Sequence, residues 1–529
     1  MASATLYTLP VELQALILKF QFTLSRRLSY LVRFLAHRSG RDPWDGPILF
    51  EWIEWDPHSP SLFPYNSASV CKLWRDILAA IPECWTRVVF DVAKDPAPFI
   101  DVFLWSNALT DIEVFVFNSS EIPDIAQESH RNLEYDRVSR IVQALVPHIH
   151  RCKSVTIDIN YSSCLPFPTI FFRHDLPNIE NLSLISRVDD IIPGNHPSTV
   201  VENTDPPLAM SFPKLKVLSL TGFWFMYLAL TAKSPDWFSQ VKFAQFRSLH
   251  VSQFAFLEIG HYTMKNFVLC LSKFTGCTSY DLRDLSLSYA FNIVDVNFEE
   301  EAFEIKGNIH FQSVSHDFLS HFYAISSIPQ YQDLSISFTA CQIPRLPEFL
   351  PNESLVLTNI DGRSIRNILR VWDGYSLEIR SCPSFNDTFI TWLGTELDHK
   401  VKWSELPIKV FRLQRLMSLR IEDCSNFTSA RLCAFVEARN DAAFPQRCDH
   451  PLNWLKVQGR VPALPDQNKA LFLQNARMTE VDWQTVDENG ETEKFTTHPM
   501  VQQNLDMLYV SVLGPRSFDV LMLLVFHII

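Results

Sequence analysis

Leu377-Glu378-Ile379-Arg380-Ser381-Cys382-Pro383-Ser384-Phe385-Asn386-Asp387 returns as Leu419-Arg420-Ile421-Glu422-Asp423-Cys424-Ser425-Asn426-Phe427-Thr428. The offset is constant at 42 residues: 379 to 421, 382 to 424 and 385 to 427. In each copy two aliphatic residues stand two apart with a charged residue between them. In an extended chain that spacing points both aliphatics to one face and the charge to the other. The cysteine three residues on suits a small buried side chain at a turn off the strand. The phenylalanine and Leu393 or Phe435 then begin the return segment.

Working outward, the shorter pattern apolar-x-x-Leu-x-apolar occurs at Ile179-Leu182-Leu184, Leu215-Leu218-Leu220, Phe246-Leu249-Val251 and Leu282-Leu285-Leu287. It returns at Tyr331-Leu334-Ile336, Leu416-Leu419-Ile421 and Leu452-Leu455-Val457, with echoes at Leu355-Val356-Leu357 and Leu377-Glu378-Ile379. Several copies open on Pro: Leu176-Pro177, Phe212-Pro213, Ile328-Pro329. A repeated strand that buries alternate side chains and returns through a short helix stacks into a one-dimensional array. The pattern resembles a degenerate leucine-rich repeat. The strand leucines follow at uneven steps, from 21 residues (334 to 355) to 49 (285 to 334), and insertions such as Ile191–Pro207 fill the long gaps. Val155–Ile159 is the expected opening strand and Arg137–Pro147 the helix before it. Beyond Pro465 the repeat stops, and Val481–Val486, Asn489-Gly490 and Glu493–Thr496 predict a β-hairpin.

The N-terminal region has a different period. Leu9, Leu13, Leu16, Ile17 and Phe20 recur at helical steps after Pro10, and Val70, Leu73, Trp74, Ile77 and Leu78 do so ahead of Pro82 and Trp85. So much apolar surface exceeds what two short helices can bury between themselves, and such surface commonly marks a partner site. Leu9-Pro10-Val11-Glu12-Leu13 and Val70-Cys71-Lys72-Leu73-Trp74-Arg75 resemble the two ends of an F-box, and the chain as a whole resembles the fungal F-box proteins with degenerate leucine-rich repeats. The resemblance implies docking on the Skp adaptor, and through it on a cullin–RING ubiquitin ligase, by Leu9, Pro10, Leu13, Ile17, Val70, Cys71, Leu73 and Trp74. It departs from the pattern in one respect. Between its two ends the chain carries an insertion, about 21–64, with a basic stretch (Arg26–Leu35) and a Pro- and Trp-rich passage (Asp42–Pro60).

Composition narrows the function classes. At 529 residues the chain exceeds one compact core, and 47% hydrophobic with 13% aromatic residues describes a packed protein. A net charge of −13 argues against nucleic acid or an anionic membrane as the main partner. The 11 cysteines are odd in number and scattered, without a secretory leader at Met1–Thr8, which predicts reduced thiols in the cytoplasm or nucleus. The apolar tail Phe518–Ile529 is too short to span a bilayer and reads as a buried final element. No Gly-x-Ser-x-Gly, Walker, Gly-x-Gly-x-x-Gly or His-Glu-x-x-His motif occurs, so no catalytic residue, metal or cofactor is expected. His148-x-His150-x-Cys152 and the set Cys424, Cys433, Cys448 and His450 are the metal-like alternatives, and core packing explains both more simply. Asp189-Asp190 and Glu299–Glu301 read as solvated charge.

The expected fold is therefore α/β: an N-terminal helical F-box-like module (1–92), a connecting segment (93–150), an irregular leucine-rich-repeat solenoid (151–460) and a C-terminal extension or cap (461–529). The expected function is substrate recognition for the ligase, with an unknown protein target. The alternative is a non-catalytic scaffold that uses the repeats alone. The residues between the strand aliphatics would line the concave face, as Ser183, Ser219, His250, Ser286 and Ser335 early in the array. Later in the array Glu378, Arg380, Arg420, Glu422 and Lys456 would bind the target, since arginine offers bidentate hydrogen bonds.

Overall fold

The computed structural model describes residues 9–28, 50–52, 56–59, 61–106, 109–121, 128–174, 176–191, 208, 211–231, 244–274, 276–291, 302–327, 334–346, 350, 353–399, 408–442, 451–475, 479–486, 490 and 492–497. Most of the insertion after Gln21, the stretch 192–207, Ile328-Pro329 and Tyr331 lie outside those residues. So do Glu299–Glu301, Cys448, His450, Asn489 and the tail 518–529. The fold is mixed α/β, with a large, mostly parallel sheet and helices. No described helix is long and apolar enough to cross a membrane. The chain divides into two compact units, Met1–Phe254 with Lys273–Gly276, and Ala255–Ser272 with Cys277–Ile529.

In the first unit the helix Val11–Leu24 precedes the short antiparallel pair Arg26–Leu28 and Phe50–Trp52. The helix Lys72–Ala79 and the turn Pro82–Trp85 follow. Trp85 is fully buried, as a large aromatic at a helix exit should be. Its indole N–H donates to the Leu78 carbonyl at 2.9 Å, and its ring meets Tyr65 and Trp105 edge-on. Six strands come next, each parallel to and hydrogen-bonded with its sequence neighbour: Arg87–Asp91, Ile112–Phe117, Cys152–Tyr161, Asn181–Val188, Val217–Thr221 and Ser248–Phe256. The sheet thus opens two strands before Val155. Arg87–Asp91 is buried on both faces and shows no alternation, while Ile112–Phe117 alternates without leucine. A leucine pattern misses both. The helix ahead of Val155 is longer than expected, Glu128–Leu145, and Pro147 sits in the short 3₁₀ turn Val146–Arg151 that ends it.

In the second unit eight parallel strands run in chain order: Ser279–Leu287, Asn308–Gln312, Ser335–Thr339, Ser354–Thr358, Ser376–Arg380, Ser418–Glu422, Trp454–Gly459 and Glu480–Val486. Thr492–Thr497 closes the row antiparallel to the last of them. Their register stacks Tyr280, Ile309, Ile336, Leu355, Leu377, Leu419, Leu455 and Val481 in one buried row. A second row runs from Leu282 through Phe311, Phe338, Leu357, Ile379, Ile421 and Val457 to Trp483. Burying each aliphatic contributes about 1.5–3 kcal/mol. Two copies of the pattern were out of phase in the sequence reading: the strand pairs are Tyr280/Leu282 and Ile336/Phe338, not Leu285/Leu287 and Leu334/Ile336. The long gap between 285 and 334 holds the further strand Asn308–Gln312, whose inward residues are Ile309 and Phe311. The step of 42 residues holds an antiparallel excursion, Glu396–His399 with Ile408–Phe411.

One turn recurs after these strands. Ser313, Ala340, Asn359, Ser381 and Asp423 each take a left-handed conformation, with φ between 48° and 52°. The next residue, Val314, Cys341, Ile360, Cys382 or Cys424, is buried beneath it. At the seventh strand Gly459 takes this role with φ of 86°, and a Cβ there would lie 2.3 Å from the Asp423 carboxylate. Cys382 and Cys424 are therefore turn residues of the core: the Cys424 thiol stands near the Cys382 N–H (3.4 Å) and burial pushes its pKa up to about 12.

Candidate functional site

Two surfaces carry the residues singled out from sequence. The first lies on the N-terminal helices. Pro10 caps the helix, its carbonyl accepting from the N–H groups of Leu13 and Gln14 at 3.0 and 3.2 Å. Cys71 caps the second helix through its sulfur and the Trp74 N–H. The helices meet through Gln14: its side-chain oxygen accepts from the Trp74 indole at 2.9 Å, and its amide donates to the Leu9 carbonyl at 2.9 Å. Behind this bridge Leu18 packs with Ile77, Leu78, Cys84 and Trp85, and the Ser67 hydroxyl donates to Gln21.

That packing turns the apolar stripe outward. The first helix buries Gln14 and Leu18, and Leu16, Phe20 and Val70 are 61%, 65% and 53% exposed. Val11, Leu13, Ile17, Leu24 and Leu73 are exposed as well. Of the eight residues expected to dock, Pro10, Leu13, Ile17, Val70 and Leu73 lie on the surface. Leu9, Cys71 and Trp74 are half-buried and support them. Leu16 and Phe20 belong to the same face, and their place in the helical period was the signal for them. Gln14 was missed, because a polar residue on an apolar helix gives no sign that it turns inward.

The second surface is the middle row of the second unit's strands. Glu378 stands opposite Arg420, and Arg380 opposite Glu422. Arg380 lies 2.8 Å from Glu378 and 3.4 Å from Glu422, and Arg420 lies 2.9 Å from Glu378 and 3.2 Å from Glu422. The Arg420 Nε is off the line of a hydrogen bond to Glu378, so that contact is an ion pair only. The four groups close a neutral ring. Lys456 is 3.9 Å from Asp482, which Lys494 also approaches at 3.7 Å. The arginines expected to reach for a target are already engaged by carboxylates of their own and the adjacent strand. With the corrected phase, Asp281 and Ser337 replace Ser286 and Ser335 in this row, and Ser183, Ser219 and His250 stand opposite one another on strands of the first unit.

The described cysteines of the metal-like motifs are buried, while Cys448 and His450 lie outside the described residues. His148 meets Phe103 edge-on with ring centroids 5.9 Å apart, and the buried Cys152 thiol, its pKa pushed up to about 12, points to the His148 carbonyl. Cys433 is buried in its helix with its thiol pushed up to about 11. Asp189 and Asp190 are not solvated charge, as they were expected to be. Asp189 accepts from the Ser162 hydroxyl at 2.7 Å, and Asp190 from the Ser163 N–H at 2.8 Å beside Arg131. They tie the turn after Cys152–Tyr161 to the next strand. No family model matches this chain, and no curated protein matches it.

Proposed function

We propose that the chain is a substrate-recognition subunit of a Skp–cullin–F-box ubiquitin ligase. Its N-terminal helices dock the Skp adaptor, and its strand repeats act as a leucine-rich-repeat solenoid that holds a protein target. The observation that carries the reading is the outward apolar face of Val11, Leu13, Ile17, Phe20, Val70 and Leu73 on two helices locked by Gln14 and Trp74. Contiguous apolar surface on a rigid support is the usual form of a protein docking site. The solenoid reading is supported by the sequential parallel order of the strands and by the recurring left-handed turn. None of the ten described cysteines is joined in a disulfide, and this fits a reducing cytoplasmic or nuclear setting.

Co-purification with the Skp adaptor is the direct test. Leu13→Glu with Ile17→Glu should abolish it while the protein remains folded, since both side chains are exposed. Adaptor binding retained by that variant would move docking off this face, and binding absent from the unaltered protein would leave the repeats as a scaffold outside any ligase.

A further inference from the structure

Around the helix Gly362–Leu369 of the second unit lies an open cleft of about 1070 Å³, with Arg345, Arg363, Arg366 and Arg370 in its lining. Among the described residues none of the four pairs with a carboxylate. Asp361 is the one carboxylate in the lining, and it is spent as the helix cap, accepting from the N–H groups of Arg363 and Ser364 at 2.8 and 3.0 Å. A fifth guanidinium adds to the same field. Arg412 lies 4.6 Å over the Trp392 ring and Arg366 lies 6.0 Å from it, each with a buried Nε that has no hydrogen-bond partner. Burial, together with the positive charge of Arg370, lowers the Arg412 pKa. Five arginines with no carboxylate partner among the described residues, in a chain of net charge −13, contrast with the strand face, where Arg380 and Arg420 are neutralised.

We propose that this cleft binds an acidic peptide segment of a partner protein, with Arg345, Arg363, Arg366 and Arg370 receiving its carboxylates. The spacing favours a run of carboxylates over one compact anion. Positions 363, 366 and 370 share a helix face and spread over about 10 Å. Carboxylates on one face of an extended peptide recur at about 7 Å, so two or three can each meet a guanidinium. Planar guanidinium forks suit carboxylates in bidentate pairs. A nucleic acid would meet the same arginines, but its long charged backbone would also have to pass the acidic remainder of the chain. The inference is independent of adaptor docking: a protein that failed to bind Skp could still bind the peptide.

The test uses the full chain and a fluorescently labelled peptide of alternating Glu and Ser, followed by anisotropy. Binding should weaken as salt is raised, and the same peptide with Gln for Glu should not bind. Arg363→Glu with Arg370→Glu should weaken binding by about tenfold or more, since two attractions become repulsions, with the melting temperature unchanged. If that variant does not fold, Arg345→Gln with Arg363→Gln, both exposed, serves in its place. The proposal is overturned if a folded variant binds the Glu peptide as tightly as the unaltered chain, if the Gln peptide binds equally well, or if a single-stranded oligonucleotide displaces the Glu peptide at lower concentration than unlabelled peptide does.

Discussion

The Gln14 side-chain oxygen accepts a 2.9 Å hydrogen bond from the Trp74 indole N–H, joining residues 60 positions apart. Gln14 is 1% exposed and faces inward from a helix whose leucines face out. The bond ties the two N-terminal helices together behind the apolar face they present.

Gln14→Ala should therefore cost about 1–3 kcal/mol, because it leaves a half-buried indole N–H without its acceptor. Chemical denaturation measures the loss. Adaptor affinity should fall with it, since the outward face is no longer held in one arrangement. A variant as stable as the parent would show that the apolar packing around Leu18 alone holds the helices.

The insertion can be shortened at its neck. Arg26 pairs with Trp52, and Leu28 with Phe50, in an antiparallel register. Replacing residues 30–48 with a short Asn-Gly turn keeps that pair, and loop length itself costs little because closure entropy grows logarithmically. Thermal melting should be unchanged or slightly raised. The cut must stop short of His58, whose ring lies 4.0 Å from Phe117, and of the buried Leu62 and Phe63.

Arg380→Glu with Arg420→Glu would gather four carboxylates on two neighbouring strands. Like charges directly opposite are destabilising, and the change should cost about 1–2 kcal/mol. Adding Glu378→Arg and Glu422→Arg rebuilds the ring with its signs exchanged and should restore most of the melting temperature. Failure of the fourfold variant to recover would show that the surrounding charges, and not the ring, set the preference.

His321 packs flat on Phe291 at 4.3 Å, and its Nδ1 lies 2.8 Å from the Tyr289 hydroxyl. Burial lowers its pKa from 6.5 to about 4. Between those values the unfolded chain takes up a proton that the folded one refuses, so stability rises with pH across that range. The contribution is complete above pH 6.5 and is lost as the pH falls toward 4. His321→Phe should flatten the fall in melting temperature between pH 6.5 and 5, and an unaltered slope would assign it to other groups.

The sequence by itself determined the strand repeat, the cysteine turn and the two N-terminal helices, because each is a local rule. Side chains alternate along a strand, a turn follows at a set distance, and apolar residues recur at helical steps. Phase was harder wherever phenylalanine or tyrosine replaced leucine, as at Tyr280, Ile309-Phe311 and Ile336-Phe338, since an aromatic fits the same buried row without matching the leucine pattern. The first strands were lost for other reasons: Arg87–Asp91 is buried on both faces without alternation, and Ile112–Phe117 alternates without leucine. Only the tertiary structure decided which way each charged or polar side chain was spent. Glu378 and Arg420 carry no sequence sign of facing each other across adjacent strands, and Gln14 none of turning toward Trp74. The arginines at 363, 366 and 370 lie at helical spacing that can be read in advance. That no described carboxylate meets them could not be, because ion pairing depends on which strands and helices become neighbours.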